Sequence, residues 1–335
     1  MSNKKQDLAG KHVIVTGGSS GIGFALAAEA VKRKANVTII ARTESRLKAA
    51  QAQLQEEAQR RGTGSKIAYR VLDVTDAVKV RHVLAECVKD LGPVELLVCN
   101  AGAAHLGYFH ETSLETFQQQ MQLNFFGVLN VVHALYGDMV RRNSGHICLV
   151  GSALSTFGLV GYSAYCPSKY AVKGLADSLR NELQGTQVKI SFAQPPDTDT
   201  PGFLEENKHK PPETKEISEA GATVFKPEQV AAGLMAGLLR GAYLLPTPDL
   251  GLQVNIVTTK GLTPRSFPGV LLDMLLSAIA PLVHWAFVAM FDRVARRHAQ
   301  RRFAKLWASG EAEARSGGEA AAAATTPCGG RGEGE

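Results

Sequence analysis

From Lys11 to about Gln194, short and nearly uninterrupted apolar runs alternate with longer segments whose apolar residues recur every three to four positions. The runs HVIVTG, NVTIIA, KIAYRVLDV, VELLVCNAG, GHICLVGS and VKISFAQP read as six successive strands. Polar residues rarely break these runs, so both faces of each strand need cover, as in a parallel sheet with crossover helices. The stretches between them, such as Ser45 to Arg61 and Leu114 to Val140, have helical periodicity, with Pro, Gly or Asn at several junctions. The predicted fold class is α/β, a doubly wound parallel sheet.

The same pattern divides the chain. Residues 1–10 are polar and lack the apolar stretch of a signal peptide or anchor. The main domain is expected over 11–260. Within it, 197–225 is polar, contains Pro and Lys, and is too long for an ordinary connection, which makes it a candidate lid. A further helix is expected from Pro227 to Arg240. A second apolar region follows at 267–291, FPGVLLDMLLSAIAPLVHWAFVAMF, and at roughly 1.5 Å per residue it is long enough to reach across a bilayer. Asp273, Pro281 and His284 interrupt it, and Pro281 divides it into two shorter halves. Residues 261–307 are therefore expected to form an apolar, then basic, membrane-associated extension. The tail at 308–335 is Ala/Gly/Glu-rich low complexity and is expected to be disordered.

The chain has 335 residues and a net charge of +6. Arg293, Arg296, Arg297, Arg301, Arg302 and Lys305 supply six positive charges within a stretch free of acids, so the remaining residues sum to zero. That locality, with no reader motif, speaks against nucleic acid as a partner and points to anionic lipid headgroups. Five scattered cysteines without CxxC spacing give neither a disulfide framework nor a metal site, and they point to a reducing compartment.

The first strand ends in Thr16-Gly17-Gly18-Ser19-Ser20-Gly21-Ile22-Gly23, just before a helical pattern. Glycines at this junction let backbone approach a pyrophosphate at a helix N-terminus, the arrangement of a Rossmann dinucleotide site. Gly17, Ser19, Ser20, Gly21, Ile22 and Gly23 are the expected cradle. The second strand ends at Arg42, with Arg46 four positions on. Two cations where an NAD site presents an acid predict NADPH, whose 2′-phosphate they would pair, although Glu44 lies between them. Asp73 and Val74 end the third strand and are placed against the adenine, with a helix N-cap as the alternative for Asp73. Asn100, Ala101 and Gly102 end the fourth strand and are expected to line the ribose.

The fifth strand ends at Ser152, and Tyr165 and Lys169 follow with helical i, i+4 spacing. An ammonium beside a phenol is expected to lower the phenol's pKa, which makes Tyr165 a general acid for a carbonyl oxygen, and Ser152 is expected to donate to the same oxygen. Lys169 is also expected to hold the cofactor ribose.

With TGxxxGxG, NAG, a midchain Asn, Ser and YxxxK in this order, the sequence resembles the short-chain dehydrogenase/reductase family from Lys11 to about Phe203. The resemblance implies a Rossmann fold and hydride transfer from a nicotinamide, with Ser152, Tyr165 and Lys169 catalytic. It also implies that Asn124 supports a proton-relay water, and that a homodimer or homotetramer forms through the helices following Asn100 and Ser152. Pro195 to Phe203, PPDTDTPGF, is more specific and resembles the branch that reduces long-chain sphingoid ketones with NADPH on the cytosolic face of the endoplasmic reticulum membrane. Pro195 and Thr198 are then cofactor contacts, and the apolar C-terminal region serves a membrane-borne substrate. Other lipophilic ketones, or a catalytically silent NADP-binding sensor, are the remaining alternatives.

Overall fold

The structure, a computed structural model, describes residues 7–212, 214–215, 223–245 and 247–249, with isolated positions 281, 282, 285, 289, 304 and 308 beyond them. All six expected strands form: β1 (His12–Thr16), β2 (Asn36–Ala41), β3 (Ile67–Val71), β4 (Val94–Cys99), β5 (His146–Val150) and β6 (Lys189–Ala193). They make one parallel sheet in the order β3-β2-β1-β4-β5-β6. The order reverses between β1 and β4, and at such a switch point the crossovers diverge and leave a crevice beyond the carboxyl ends of the strands.

Successive side chains of a strand point to opposite faces, and each face here meets helices. Val13, Val15, Val37, Ile39, Leu96 and Val98 pack in one layer with α1 (Gly21–Val31), α2 (Glu44–Arg61) and α8 (Pro227–Arg240). Ile14, Ile40, Leu97, Cys99, Ile147 and Leu149 pack in the other with α3 (Ala77–Leu91), α5 (Gly127–Arg142) and α6 (Tyr165–Glu182). Each fully buried side chain of this size contributes about 1.5–3 kcal/mol, which explains why the strand runs are apolar throughout. Cys99 and Cys148 are core residues of this kind, and burial pushes the Cys148 thiol up to about 12.

The expected helix from Leu114 to Val140 is interrupted. It consists of α4 (Leu114–Met121), a π-helical turn at Gln122–Phe126, and α5. The wider turn turns Asn124 inward, where it is fully buried. The run Leu114–Arg142, 29 residues, is long and apolar enough to cross a membrane by composition. Val128, Val131, Val132, Leu135 and Met139 are instead spent on the second core layer, as in a core helix.

The candidate lid contains a helix that periodicity did not show, α7 (Pro201–Lys208), capped by Thr200, whose Oγ1 accepts from the Phe203 amide at 3.1 Å. Its neck is pinned: the Asp199 amide donates to the Phe225 carbonyl at 2.9 Å, and the Phe225 amide donates to the Asp197 carbonyl at 3.0 Å. The segments expected to associate with membrane, 267–291 and the basic cluster after it, and the tail lie outside the described residues apart from the isolated positions named above.

Candidate active site

The glycine loop has the shape that the crevice requires. Gly17 and Gly21 hold φ of +65° and +56°, in the left-handed region that glycine tolerates. A Cβ on Gly23 would lie 2.3 Å from the Gly17 carbonyl oxygen, so loop and helix touch through bare backbone. Ser20 starts α1 without a side-chain cap, and the Ser19 and Ser20 hydroxyls have no partner among the described residues. Free hydroxyls, uncapped first-turn N–H groups and a glycine-lined approach fit a pyrophosphate. Ile22 faces away and packs on the core.

Neighbouring strand ends are tied to this loop. Asn100 Nδ2 donates to the carbonyls of Thr16 and Gly17, both at 3.3 Å. Thr16 Oγ1 in turn accepts from the amides of Asn100 and Ala101 at 3.1 Å. Thr16 is a site residue that motif reading passed over, although it opens the loop.

At the end of β2, Arg42 is exposed, and its Nη1 comes no closer than 4.0 Å to Asp73. Glu44, between the two arginines, is bound to Lys48 at 3.0 Å and accepts from the Tyr69 hydroxyl at 3.2 Å. Arg46 is exposed beside them. The cap alternative for Asp73 is corrected: α3 is capped by Asp76, which accepts from the Lys79 amide at 3.0 Å. Asp73 Oδ1 instead accepts from the amide and hydroxyl of Thr75, at 2.9 and 2.8 Å, because the turn takes three more residues before the helix can start. Val74 is buried, and its carbonyl accepts from Asn130 Nδ2 at 3.0 Å.

The predicted catalytic residues converge. Asn124 Oδ1 accepts from the Ala103 amide at 3.0 Å, while its Nδ2 donates to the Ala103 carbonyl at 2.9 Å and to Ser168 Oγ at 3.0 Å. Lys169 is buried, its Nζ donates to the Val150 carbonyl at 3.2 Å, and it stands 5.7 Å from the centre of the Tyr165 ring. A Cβ on Gly102 would lie 2.9 Å from Asn124 Oδ1 and 3.3 Å from Lys169 Nζ, which brings the fourth strand end, the π turn and α6 to one point. Ser152 caps a short 3-10 turn at Ala153–Ser155, and its Oγ accepts from the Leu154 amide at 3.2 Å. Pro195 anchors the same turn from behind, its carbonyl accepting from the Ala153 amide at 3.3 Å. Thr198 is buried at the lid neck and donates to the Pro196 carbonyl at 2.7 Å. The base of the candidate lid also reaches the glycine loop, since a Cβ on Gly21 would lie 2.9 Å from Thr200 Cγ2.

Motif reading missed several supporting residues. Ser168, between Tyr165 and Lys169, donates to the Tyr165 carbonyl at 2.6 Å and receives Asn124. Gln120, one helical turn before Asn124, accepts from it at 3.3 Å, a spacing that was legible. Tyr162 and Glu206 were not legible together, being 44 residues apart, yet the Tyr162 hydroxyl donates to Glu206 and its ring lies 5.9 Å from that of Tyr165.

The short chain dehydrogenase family model matches residues 11–211. This chain belongs to the short-chain dehydrogenase family. A 3-dehydrosphinganine reductase of Danio rerio is 36% identical to it over 301 residues, 89% of each chain. A 3-ketodihydrosphingosine reductase of Dictyostelium discoideum is 38% identical over 288 residues, 82% of this chain and 85% of that one. Among solved structures, an alcohol dehydrogenase from the archaeon Thermococcus sibiricus, complexed with 5-hydroxy-NADP, is 25% identical. The two superpose with a TM-score of 0.58, over 68% of this chain and 90% of the other. The chain is accordingly an NAD(P)-dependent oxidoreductase with a Rossmann-like fold.

As a short-chain dehydrogenase the protein needs a nicotinamide cofactor, which supplies or accepts the hydride when bound. The loop at 17–23, the NAG strand end and Lys169 would hold it, and the remaining chemistry belongs to the protein's own side chains. One expectation is corrected here: the Tyr165 phenol is not lowered. Burial pushes it well above the ordinary tyrosine value, a hydrogen bond with Ser152 pulls against this, and the Glu206 and Asp197 charges push it further up. The reason is that desolvation of the phenol outweighs an ammonium 5.7 Å from the ring centre. A neutral phenol is the form that carries the proton a ketone oxygen takes up, while a raised pKa makes that proton harder to release. The reverse oxidation needs phenolate and is expected to rise with pH.

Lys169 behaves differently, since burial lowers its pKa to about 8. A lowered lysine is charged below that value and neutral above it. Reduction is therefore expected to decline as pH rises through about 8, while Tyr165 stays protonated. A kcat/KM profile checks this, with Lys169→Arg moving the loss to higher pH because guanidinium stays charged.

Proposed function

We propose that this short-chain dehydrogenase reduces 3-ketodihydrosphingosine to dihydrosphingosine with NADPH. The observation that carries the reading is the complete Asn124, Ser152, Tyr165 and Lys169 site in a chain 35–38% identical, over most of its length, to proteins named for that reaction. The preference for NADPH is supported by Arg42, exposed just after β2, and Arg46, exposed in the first turn of α2, and by the engagement of Glu44 with Lys48 and Tyr69. The NADP analogue in the solved relative agrees with it.

Localisation follows from the chemistry of the substrate. A long-chain sphingoid ketone partitions into bilayers, so the protein works at the endoplasmic reticulum membrane, with its catalytic domain in the cytosol where NADPH is at hand. The apolar and basic C-terminal sequence suits a re-entrant or interfacial attachment that keeps both the arginines and the domain on one side. Exposed Phe126 and Tyr170, on the helices that follow the fourth and fifth strands, suit contact between copies of the chain.

The test is NADPH oxidation by the detergent-solubilised full chain, with 3-ketodihydrosphingosine and a steroid ketone in parallel. Turnover of the sphingoid ketone is expected, and turnover of the steroid alone would overturn the reading. Arg42→Ala is expected to raise KM for NADPH about tenfold, the effect of losing one charge-assisted bond to a phosphate, with little change for NADH. Equal effects on the two cofactors would remove the 2′-phosphate role from Arg42.

A further inference from the structure

We infer that Glu206, supported by Asp197, holds the ammonium group of an amino ketone beside the reacting carbonyl, so that the lid selects substrates by their amine. The inference rests on the proposed sphingoid reading, whose substrate carries a primary amine on the carbon adjacent to the ketone.

Three features lead to it. The first is position. The hydroxyl of Tyr162 binds Glu206 Oε1, and the Tyr162 ring lies 5.9 Å from that of the proton donor Tyr165. Glu206 is thus held one aromatic ring away from the place where a ketone oxygen meets Tyr165. Its Oε2 has no hydrogen bond among the described residues, and neither carboxylate oxygen of Asp197 has one.

The second is charge. Glu206 and Asp197 are both partly buried, and among the described residues one cation acts on both. That cation is Lys210, only 6% exposed, whose Nζ lies 4.9 Å from the centre of the Phe203 ring with neither hydrogen bond nor ion pair among the described residues. Asp249 adds its charge at Asp197, so among the described residues the carboxylates outnumber the ammonium in a place partly shielded from water. Burial accordingly raises the pKa of both acids, with Lys210 pulling each of them back.

The third is what that charge does to the reaction. Both carboxylates disfavour loss of the proton from Tyr165, which is the step that reduction requires. A cation fixed next to the carbonyl cancels this opposition as it binds. An amino ketone therefore brings its own counter-charge to the site, whereas a neutral ketone of the same length leaves Tyr165 opposed by two acids. Selection then acts on proton donation as well as on binding.

The test uses the full-length, detergent-solubilised enzyme with NADPH and two substrates, 3-ketodihydrosphingosine and its N-acetyl derivative, whose nitrogen is uncharged. The wild type is expected to prefer the free amine, and Glu206→Gln to reduce that preference, as a ratio of kcat/KM values, by about 10-fold to 100-fold, the range for losing a hydrogen bond to a charged group. Asp197→Asn is expected to act in the same direction and carries the test if Glu206→Gln does not fold, with NADPH fluorescence reporting folding of each variant. If Glu206 merely braces Tyr162, both substrates fall alike and the ratio stays constant, which overturns the inference while leaving the sphingoid reading in place. Equal use of both substrates by the wild type overturns it in the same way. Turnover of neither substrate by a wild type that binds NADPH removes the sphingoid reading and the inference together.

Discussion

Tyr165→Phe is expected to lower kcat for ketone reduction by about 10²–10⁴-fold, the usual contribution of a positioned general acid, while the protein still binds NADPH. The ring would remain packed against Tyr162 and within the cluster of Leu106, Leu154 and Cys166, so the change removes a hydroxyl and little else. Without it, the developing oxyanion keeps the Ser152 hydroxyl as a donor but loses the phenol placed to deliver the proton. Cofactor affinity is expected to rest elsewhere, on the glycine loop and the strand ends. Steady-state kinetics beside a fluorescence titration of NADPH separate the two quantities. A variant with more than about a hundredth of wild-type kcat would contradict the expected range and assign the proton to another group.

A comparably large effect, on binding and stability rather than chemistry, is expected for Gly23→Ala. The new methyl would lie 2.3 Å from the Gly17 carbonyl oxygen and 2.5 Å from Asn100 Nδ2. Neither neighbour can withdraw freely: one is loop backbone, and the other is tied at 3.3 Å to the Thr16 and Gly17 carbonyls. Loop and α1 must then separate, with an overpacking penalty of about 1–3 kcal/mol and loss of the cradle for the pyrophosphate. Thermal unfolding should show a lower Tm, and NADPH titration should show no saturable binding. Gly137→Ala, within α5, provides the contrast, because a Cβ there meets nothing within 4 Å. By removing unfolded-state freedom it should add about 0.4–1 kcal/mol of stability. A Gly23→Ala protein that binds NADPH as the wild type does would mean that the crevice is not where the cofactor sits.

What could be read directly from the residues is what local rules govern. The six strand runs are apolar throughout because each strand is covered on both faces, and that condition is written in consecutive residues. The glycine loop is equally local, since Gly17 and Gly21 are required by their own backbone angles. Ser152, Tyr165 and Lys169 were found because a helical spacing of four and a strand end bring them together within a short stretch of chain.

Other features depended on distant partners. The π turn that buries Asn124 keeps an apolar pattern close to an ordinary helix, and its cause lies in Ala103 and Ser168, in other parts of the chain. The cap of α3 fell to Asp76 rather than Asp73 because the turn after β3 is three residues longer than the pattern suggested. Whether Tyr165 is raised or lowered could not follow from the nearness of Lys169, since spacing reveals the ammonium but not the desolvation that outweighs it. Glu206 reaches the site only because the lid's neck is pinned between Asp197 and Phe225 and its helix folds back onto Tyr162. Sequence alone determined the sheet and singled out the glycine loop and the candidate reacting side chains, all set by backbone geometry and short spacing. Tertiary structure alone decided the electrostatics around them, because burial and long-range charge depend on which distant segments exclude water from the site.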